Sequence, residues 1–192
     1  MSALAAMSLS QTAIAADPIL DANVDNPAGT TITGTAGYGV KLDAGGPFTI
    51  DNAGEITVDA ATEGYGIWIN DNGDTDSLVV TSLINSGVIY GEATVTKYGY
   101  GVVIHDYGTI TTLTNSGTIH GSAAQAGGGG IYLSDVATYI GTLTNTGTIT
   151  GTSGSGQDYG RGMVLYSDVG SIDNSGVISG YAGDDSGYGI YL

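Results

Sequence analysis

Leu113-Thr114-Asn115-Ser116-Gly117-Thr118-Ile119 states the rule by which this chain is written. A hydrophobe, any residue, Asn, a small residue, Gly, any residue and Ile recur at Ile50–Ile56, Leu83–Ile89, Leu143–Ile149 and Ile172–Ile178. The asparagines are Asn52, Asn85, Asn115, Asn145 and Asn174, separated by 33, 30, 30 and 29 residues. A fixed period of this size is the signature of a solenoid, in which each repeat buries its apolar face only against its neighbours.

A second phrase fills the gaps: Gly, a hydrophobe, any residue, then Ile or Leu. It stands at Gly39-Val40-Lys41-Leu42, Gly66-Ile67-Trp68-Ile69, Gly101-Val102-Val103-Ile104, Gly130-Ile131-Tyr132-Leu133, Gly162-Met163-Val164-Leu165 and Gly189-Ile190-Tyr191-Leu192. A degenerate copy, Gly29 to Gly34, precedes the first of these.

One repeat, Thr142 to Leu165, predicts the coil. Leu143 and Asn145 alternate with Thr144 on one short strand, and Thr146-Gly147 makes a bend in which Gly is free to take positive φ. Thr148-Ile149-Thr150 is a second strand, Gly151 to Gly160 a polar loop, and Gly162 to Leu165 a third strand with Met163 and Leu165 inward. The expected fold is all-β: a right-handed parallel β-helix of about six coils, three short strands per coil, stacked ~4.8 Å apart. Three inward ladders follow: Ile56 to Ile178, Val40 to Ile190 and Leu42 to Leu192. The repeated Asn is expected to form an amide ladder, since a buried amide donates to one neighbour and accepts from the other. Variation in length is concentrated at Asn70 to Ser77 and Gly151 to Gly160, the expected surface excursions.

Composition narrows the partners. The 192 residues carry a formal net charge of −16, and Lys41, Lys97 and Arg161 are the only strong cations. Nucleic acid and anionic membranes, which need clustered cations, are poor partners. With no Cys there are no disulfides, so stability must come from stacking. Residues 1–16 hold an apolar run, Ala3 to Leu9, and a small-x-small site, Ala13-Ile14-Ala15, ahead of Ala16-Asp17-Pro18. This is the expected form of a secretory signal clipped of its basic start, with residues 17–192 as the exported repeats. No later stretch is a membrane helix by length.

The exported start, the absence of Cys and phrases such as Asn115 to Gly121 and Tyr188 to Leu192 resemble the passenger region of a bacterial autotransporter over residues 17–192. That resemblance implies a β-helical passenger threaded through a C-terminal outer-membrane barrel in the same polypeptide, displayed on a Gram-negative cell surface. The chain itself carries no barrel and closes inside a second phrase, so it is expected to be a fragment. The implied function is a surface stalk for adhesion or self-association, without enzymatic activity or cofactor. Its partners would be host or bacterial surface glycans, proteins or other copies of itself. A secreted polysaccharide lyase or glycosidase and a phage or fimbrial-type fibre are the rival readings.

Candidate chemistry lies outside the repeated phrases. The outward positions of the second phrase read Lys41, Trp68, Val103, Tyr132, Val164, Tyr191 down the stack, an apolar and partly aromatic stripe suited to sugar rings or partner proteins. Tyr38, Tyr65, Tyr100 and Tyr188, each ahead of a second-phrase glycine, are expected to pack at a corner. Asp71, Asp74 and Asp76 offer oxygens for calcium but lack the full EF-hand spacing. His105 and His120 are expected on the surface, away from any nucleophile or metal set. A glycosidase would need paired carboxylates, for which Glu55 with Asp59, or Asp158 beside Arg161, are the candidates.

Overall fold

The computed structural model describes residues 7–8, 23–34, 37–43, 45–71, 78–134, 137–154, 159–183 and 185–192. They form three parallel sheets and no helix. With strands numbered along the chain, the first sheet stacks β1 (Met7–Ser8), β2 (Val24–Asn26), β5 (Phe48–Asn52), β8 (Val79–Asn85), β11 (Thr109–Asn115), β14 (Tyr139–Asn145) and β17 (Asp168–Asn174). Each of these strands from β2 onward ends on an asparagine, and we call it the Asn sheet. The Ile sheet holds β3 (Thr31–Gly34), β6 (Glu55–Ala60), β9 (Val88–Ala93), β12 (Thr118–Ala123), β15 (Thr148–Ser153) and β18 (Val177–Ala182). The aromatic sheet holds β4 (Tyr38–Leu42), β7 (Gly64–Asn70), β10 (Gly99–His105), β13 (Gly128–Leu133), β16 (Gly160–Leu165) and β19 (Gly187–Tyr191). The chain visits the three sheets in that order and then rises to the next coil, so the fold is a parallel β-solenoid of about five turns.

Register follows the repeat. Ile32, Ile56, Ile89, Ile119, Ile149 and Ile178 pair in sequence. So do Val40, Ile67, Val102, Ile131, Met163 and Ile190. The third ladder runs from Leu42 through Ile69, Ile104 and Leu133 to Leu165. Apart from Ile190, which is exposed in the last coil, these side chains join one continuous core, where each fully buried one contributes roughly 1.5–3 kcal/mol. A coil alone would have no floor or ceiling for them. That dependence is visible in β17, where Ile172 is 38 % exposed with cover on one side only, while Leu143, one coil earlier, is fully buried.

The Asn sheet contributes two further ladders. In β11 the burial order is Ile110 in, Thr111 and Thr112 out, Leu113 in, Thr114 out, Asn115 in. Thr111 is skipped in the register with both neighbouring strands, so this residue bends the strand and turns a second hydrophobe inward. Phe48, Val80, Ile110, Ile140 and Val169 form that ladder beside Ile50, Leu83, Leu113, Leu143 and Ile172.

Two expectations for the bends are corrected. Gly147 does not take positive φ, nor do the equivalent Gly54, Gly87, Gly117 and Gly176. They are glycine because the coils approach too closely for a side chain: a Cβ on Gly117 would lie 2.1 Å from the carbonyl oxygen of Gly87. The stretch read as a loop from Gly151 is strand as far as Ser153, in register with Gly121-Ser122-Ala123 below it. Of the other expected excursion, Asn70 closes β7, while residues 72–77 lie outside the described residues. The leader reading of residues 1–16 falls outside them too, apart from the Met7–Ser8 strand.

Candidate aromatic cleft on the outer sheet face

The asparagines are structural. Nδ2 of Asn52 donates to Oδ1 of Asn85, Asn85 to Asn115, Asn115 to Asn145 and Asn145 to Asn174, each at 2.7 Å. A sixth rung precedes them: Asn26 donates to Asn52 at 2.6 Å. The sequence pattern hides Asn26 because Pro27 to Thr31 lengthens the bend before Ile32. The second amide hydrogen goes to a main-chain carbonyl of the next coil, as from Asn85 to Thr118 at 3.1 Å. From Asn26 to Asn145 the amides are buried with donors and acceptor engaged inside the wall, and Asn174, in the last coil, is exposed.

The outer face of the aromatic sheet differs. Its two outward rows are in register: Tyr38, Tyr65, Tyr100, Gly129, Arg161, Tyr188, and beside them Lys41, Trp68, Val103, Tyr132, Val164, Tyr191. The second row is not a flat apolar strip. Val103 is 1 % exposed and Val164 fully buried, whereas Trp68, Tyr132 and Tyr191 are partly exposed. Small residues alternate with large ones, and the rings close over the valines. Tyr65, Tyr100 and Val103 form a second apolar cluster outside the sheet, with Tyr38, Trp68 and Tyr132 packed on it.

Ring contacts run the length of this face. Centroids are 5.6 Å apart for Tyr38–Tyr65, 6.2 Å for Tyr65–Tyr100, 4.7 Å for Tyr100–Tyr132 and 5.9 Å for Tyr132–Tyr166. They continue at 6.1 Å for Tyr166–Tyr191 and 5.8 Å for Tyr191–Tyr188. Gly129 interrupts the tyrosine row for a steric reason: a Cβ there would stand 2.7 Å from the Tyr100 ring. The expectation that these tyrosines pack is met at Tyr65 and Tyr100, both buried.

Between the rings lies a cleft of 360 Å³. Glu63, Tyr65 and Trp68 line one end, Tyr98, Tyr100, Val103 and His105 the middle, and Tyr132, Ser134, Arg161 and Tyr166 the other end. These residues come from four successive coils, so the cleft extends about 14 Å along the axis. Arg161 lies against two tyrosines, its guanidinium carbon 4.5 Å from the ring centres of both Tyr159 and Tyr191. Its Nε is buried, with no hydrogen-bond partner among the described residues. Lys41 and Lys97 are instead paired, with Asp43 at 2.7 Å and Glu63 at 2.9 Å. Burial raises the hydroxyl pKa of Tyr100 and, with the charge of Glu63 added, of Tyr65; burial also raises Tyr132. All three are neutral donors and acceptors at ordinary pH.

The histidines do not converge. His105 stacks on Trp68 at 5.4 Å, with Nδ1 3.0 Å from Oδ2 of Asp106. His120 is on the Ile sheet, stacked on Tyr90 at 5.2 Å, with Nδ1 2.7 Å from Thr150 Oγ1. Asp71 is buried and its N–H donates to the Asp106 carbonyl at 3.2 Å; Asp74 and Asp76 lie outside the described residues. Among the described residues no three His, Asp or Glu side chains gather as a metal site. Glu55 and Asp59 share the outer face of β6 four residues apart, which places their Cα atoms about 13 Å apart along the strand. Asp158 lies outside the described residues.

Trp68 and Tyr132 were legible as candidates from the sequence. Glu63, Tyr98, Ser134 and Tyr166 were not, because they flank the phrases; the alternation of Tyr98 with Tyr100 was the one available signal. Compared with known proteins, the chain matches no family model, no curated protein and no solved structure.

Proposed function

We propose that this chain is the β-solenoid shaft of an exported, cell-surface protein of the autotransporter type, and that the outer face of its aromatic sheet mediates adhesion or self-association. The observation that carries this reading is the aromatic wall. Rings in contact run from Tyr38 to Tyr188 on one face of the column, and those from Tyr65 to Tyr166 line a cleft. Partly exposed aromatic surface of this extent costs solubility unless it is used. Tyr and Trp also suit a contact face, having an apolar body and a polar tip. The net charge of −16 keeps such a shaft soluble and turns away nucleic acid.

The test is adhesion of beads coated with the chain to cell surfaces, to immobilised glycans and to one another. The double variant Trp68→Ala/Tyr132→Ala should lose the attachment that the parent shows, with an unchanged circular-dichroism spectrum. Equal attachment by parent and variant would overturn the reading.

A further inference from the structure

Resting on that reading, we infer that the cleft is a binding site for a neutral, unbranched oligosaccharide lying along the solenoid axis, with Trp68 and Tyr132 as its stacking platforms. Register places Trp68 and Tyr132 two coils apart with Val103 between them, a separation of about 9.6 Å. A sugar chain running over the valine floor would meet one ring and then the other. The volume of 360 Å³ holds a short run of sugar units.

The wall matches sugar rather than peptide. A pyranose has apolar C–H faces and a polar rim, which fit ring faces with hydrogen-bonding groups beside them. Here the rim would meet the carboxylate of Glu63 at one end and the guanidinium of Arg161 at the other, with neutral tyrosine hydroxyls between. Arg161 lines that end of the cleft, and its Nε has no hydrogen-bond partner among the described residues. An extended peptide has no such fit. The strands beneath the cleft, β7, β10, β13 and β16, are paired on both sides, so there is no edge to extend. The peptide N–H and C=O groups would lie against ring faces, which costs free energy.

Charge selects a neutral ligand. Two of the three strong cations are already paired to carboxylates, and a net charge of −16 repels polyanionic glycans. Arg161 is left to contact hydroxyl oxygens.

Trp68 is the only tryptophan in the chain, so its fluorescence reports on the cleft without labelling. The intact chain is titrated with hexaoses of β-1,4-glucose, α-1,4-glucose, β-1,4-xylose, β-1,4-mannose and β-1,4-N-acetylglucosamine, and with hexagalacturonate as the acidic counterpart. At least one neutral hexaose should shift Trp68 emission along a single-site isotherm, while hexagalacturonate does not. Tyr132→Ala should weaken that binding about tenfold, and Tyr90→Ala, on a different sheet, should leave it unchanged. Silence across every neutral hexaose, tighter binding of hexagalacturonate, or full affinity in Tyr132→Ala would each overturn the inference. If the oligosaccharides are silent while coated beads still cluster through Trp68 and Tyr132, the face docks protein. The surface-adhesion reading then stands and the sugar site does not.

Discussion

Asn85 donates from Nδ2 to Oδ1 of Asn115 at 2.7 Å, and Asn115 passes the same bond on to Asn145. Asn115 also donates to the carbonyl of Thr148 at 3.2 Å. Asn115→Ala therefore withdraws an acceptor from the coil below and donors from the coil above, all inside the wall. Buried groups left unpaired cost about 1–3 kcal/mol each, so the loss should be about 2–4 kcal/mol by urea denaturation. Asn174 ends the ladder in an exposed position, and Asn174→Ala should cost less than about 1 kcal/mol. Equal losses at the two positions would show that the ladder is not what holds the wall.

Gly101 tests the close approach of coils. A Cβ there would lie 2.6 Å from the Ile119 methyl and 2.8 Å from the carbonyl oxygen of Gly130. The backbone oxygen cannot move without displacing the next coil, so Gly101→Ala should destabilise by about 1–3 kcal/mol. At Gly127 the nearest atom to a Cβ is 3.5 Å away, ordinary contact, and Gly127→Ala should fall within about 0.5 kcal/mol of the parent. Thermal and urea midpoints of the two variants give the comparison.

These two cases mark how far the fold was legible. Periodicity alone placed Ile119, Val102 and Asn115 inside, because a ladder needs the same residue type at each coil and the repeat displays it. What periodicity does not display is geometry between coils. Gly147 looked like a residue chosen for φ and is one chosen for the absence of a Cβ. Val80 and Ile110 were overlooked because the bend at Thr111 breaks the period of two. The cleft was half legible for the same reason. Trp68 and Tyr132 recur at a fixed offset, whereas the ring of Tyr100 reaches over Gly129 in a way no single repeat encodes.

Tyr100 separates packing from binding within the aromatic layer. It is 6 % exposed, with Tyr65, Tyr98 and Tyr132 against it at 6.2, 6.0 and 4.7 Å. Tyr100→Ala should cost about 3 kcal/mol, the lower end for removing a buried aromatic. Tyr181, 66 % exposed on the Ile sheet, should tolerate Ala within about 0.5 kcal/mol. If Tyr100→Ala were also neutral, the outer cluster would not contribute to the stability of the column.

His120 gives the fold a dependence on pH. Burial lowers its pKa below the ordinary 6.5, outweighing the raising effects of its hydrogen bond to Thr150 and of the Glu92 carboxylate. The unfolded chain therefore takes up the proton first as pH falls. In the window from 6.5 down to the folded-state pKa, the unfolded state binds more protons, so stability drops with acid and is fully present above 6.5. The slope from this one group is at most about 1.4 kcal/mol per pH unit. Urea denaturation at pH 7.5 and 5.5 should show a loss in the parent that His120→Gln reduces, while stability at pH 7.5 changes little. His105 sits on another sheet and is present in both proteins, so the difference between them isolates His120. A loss of the same size in His120→Gln would assign the acid sensitivity to the carboxylates instead.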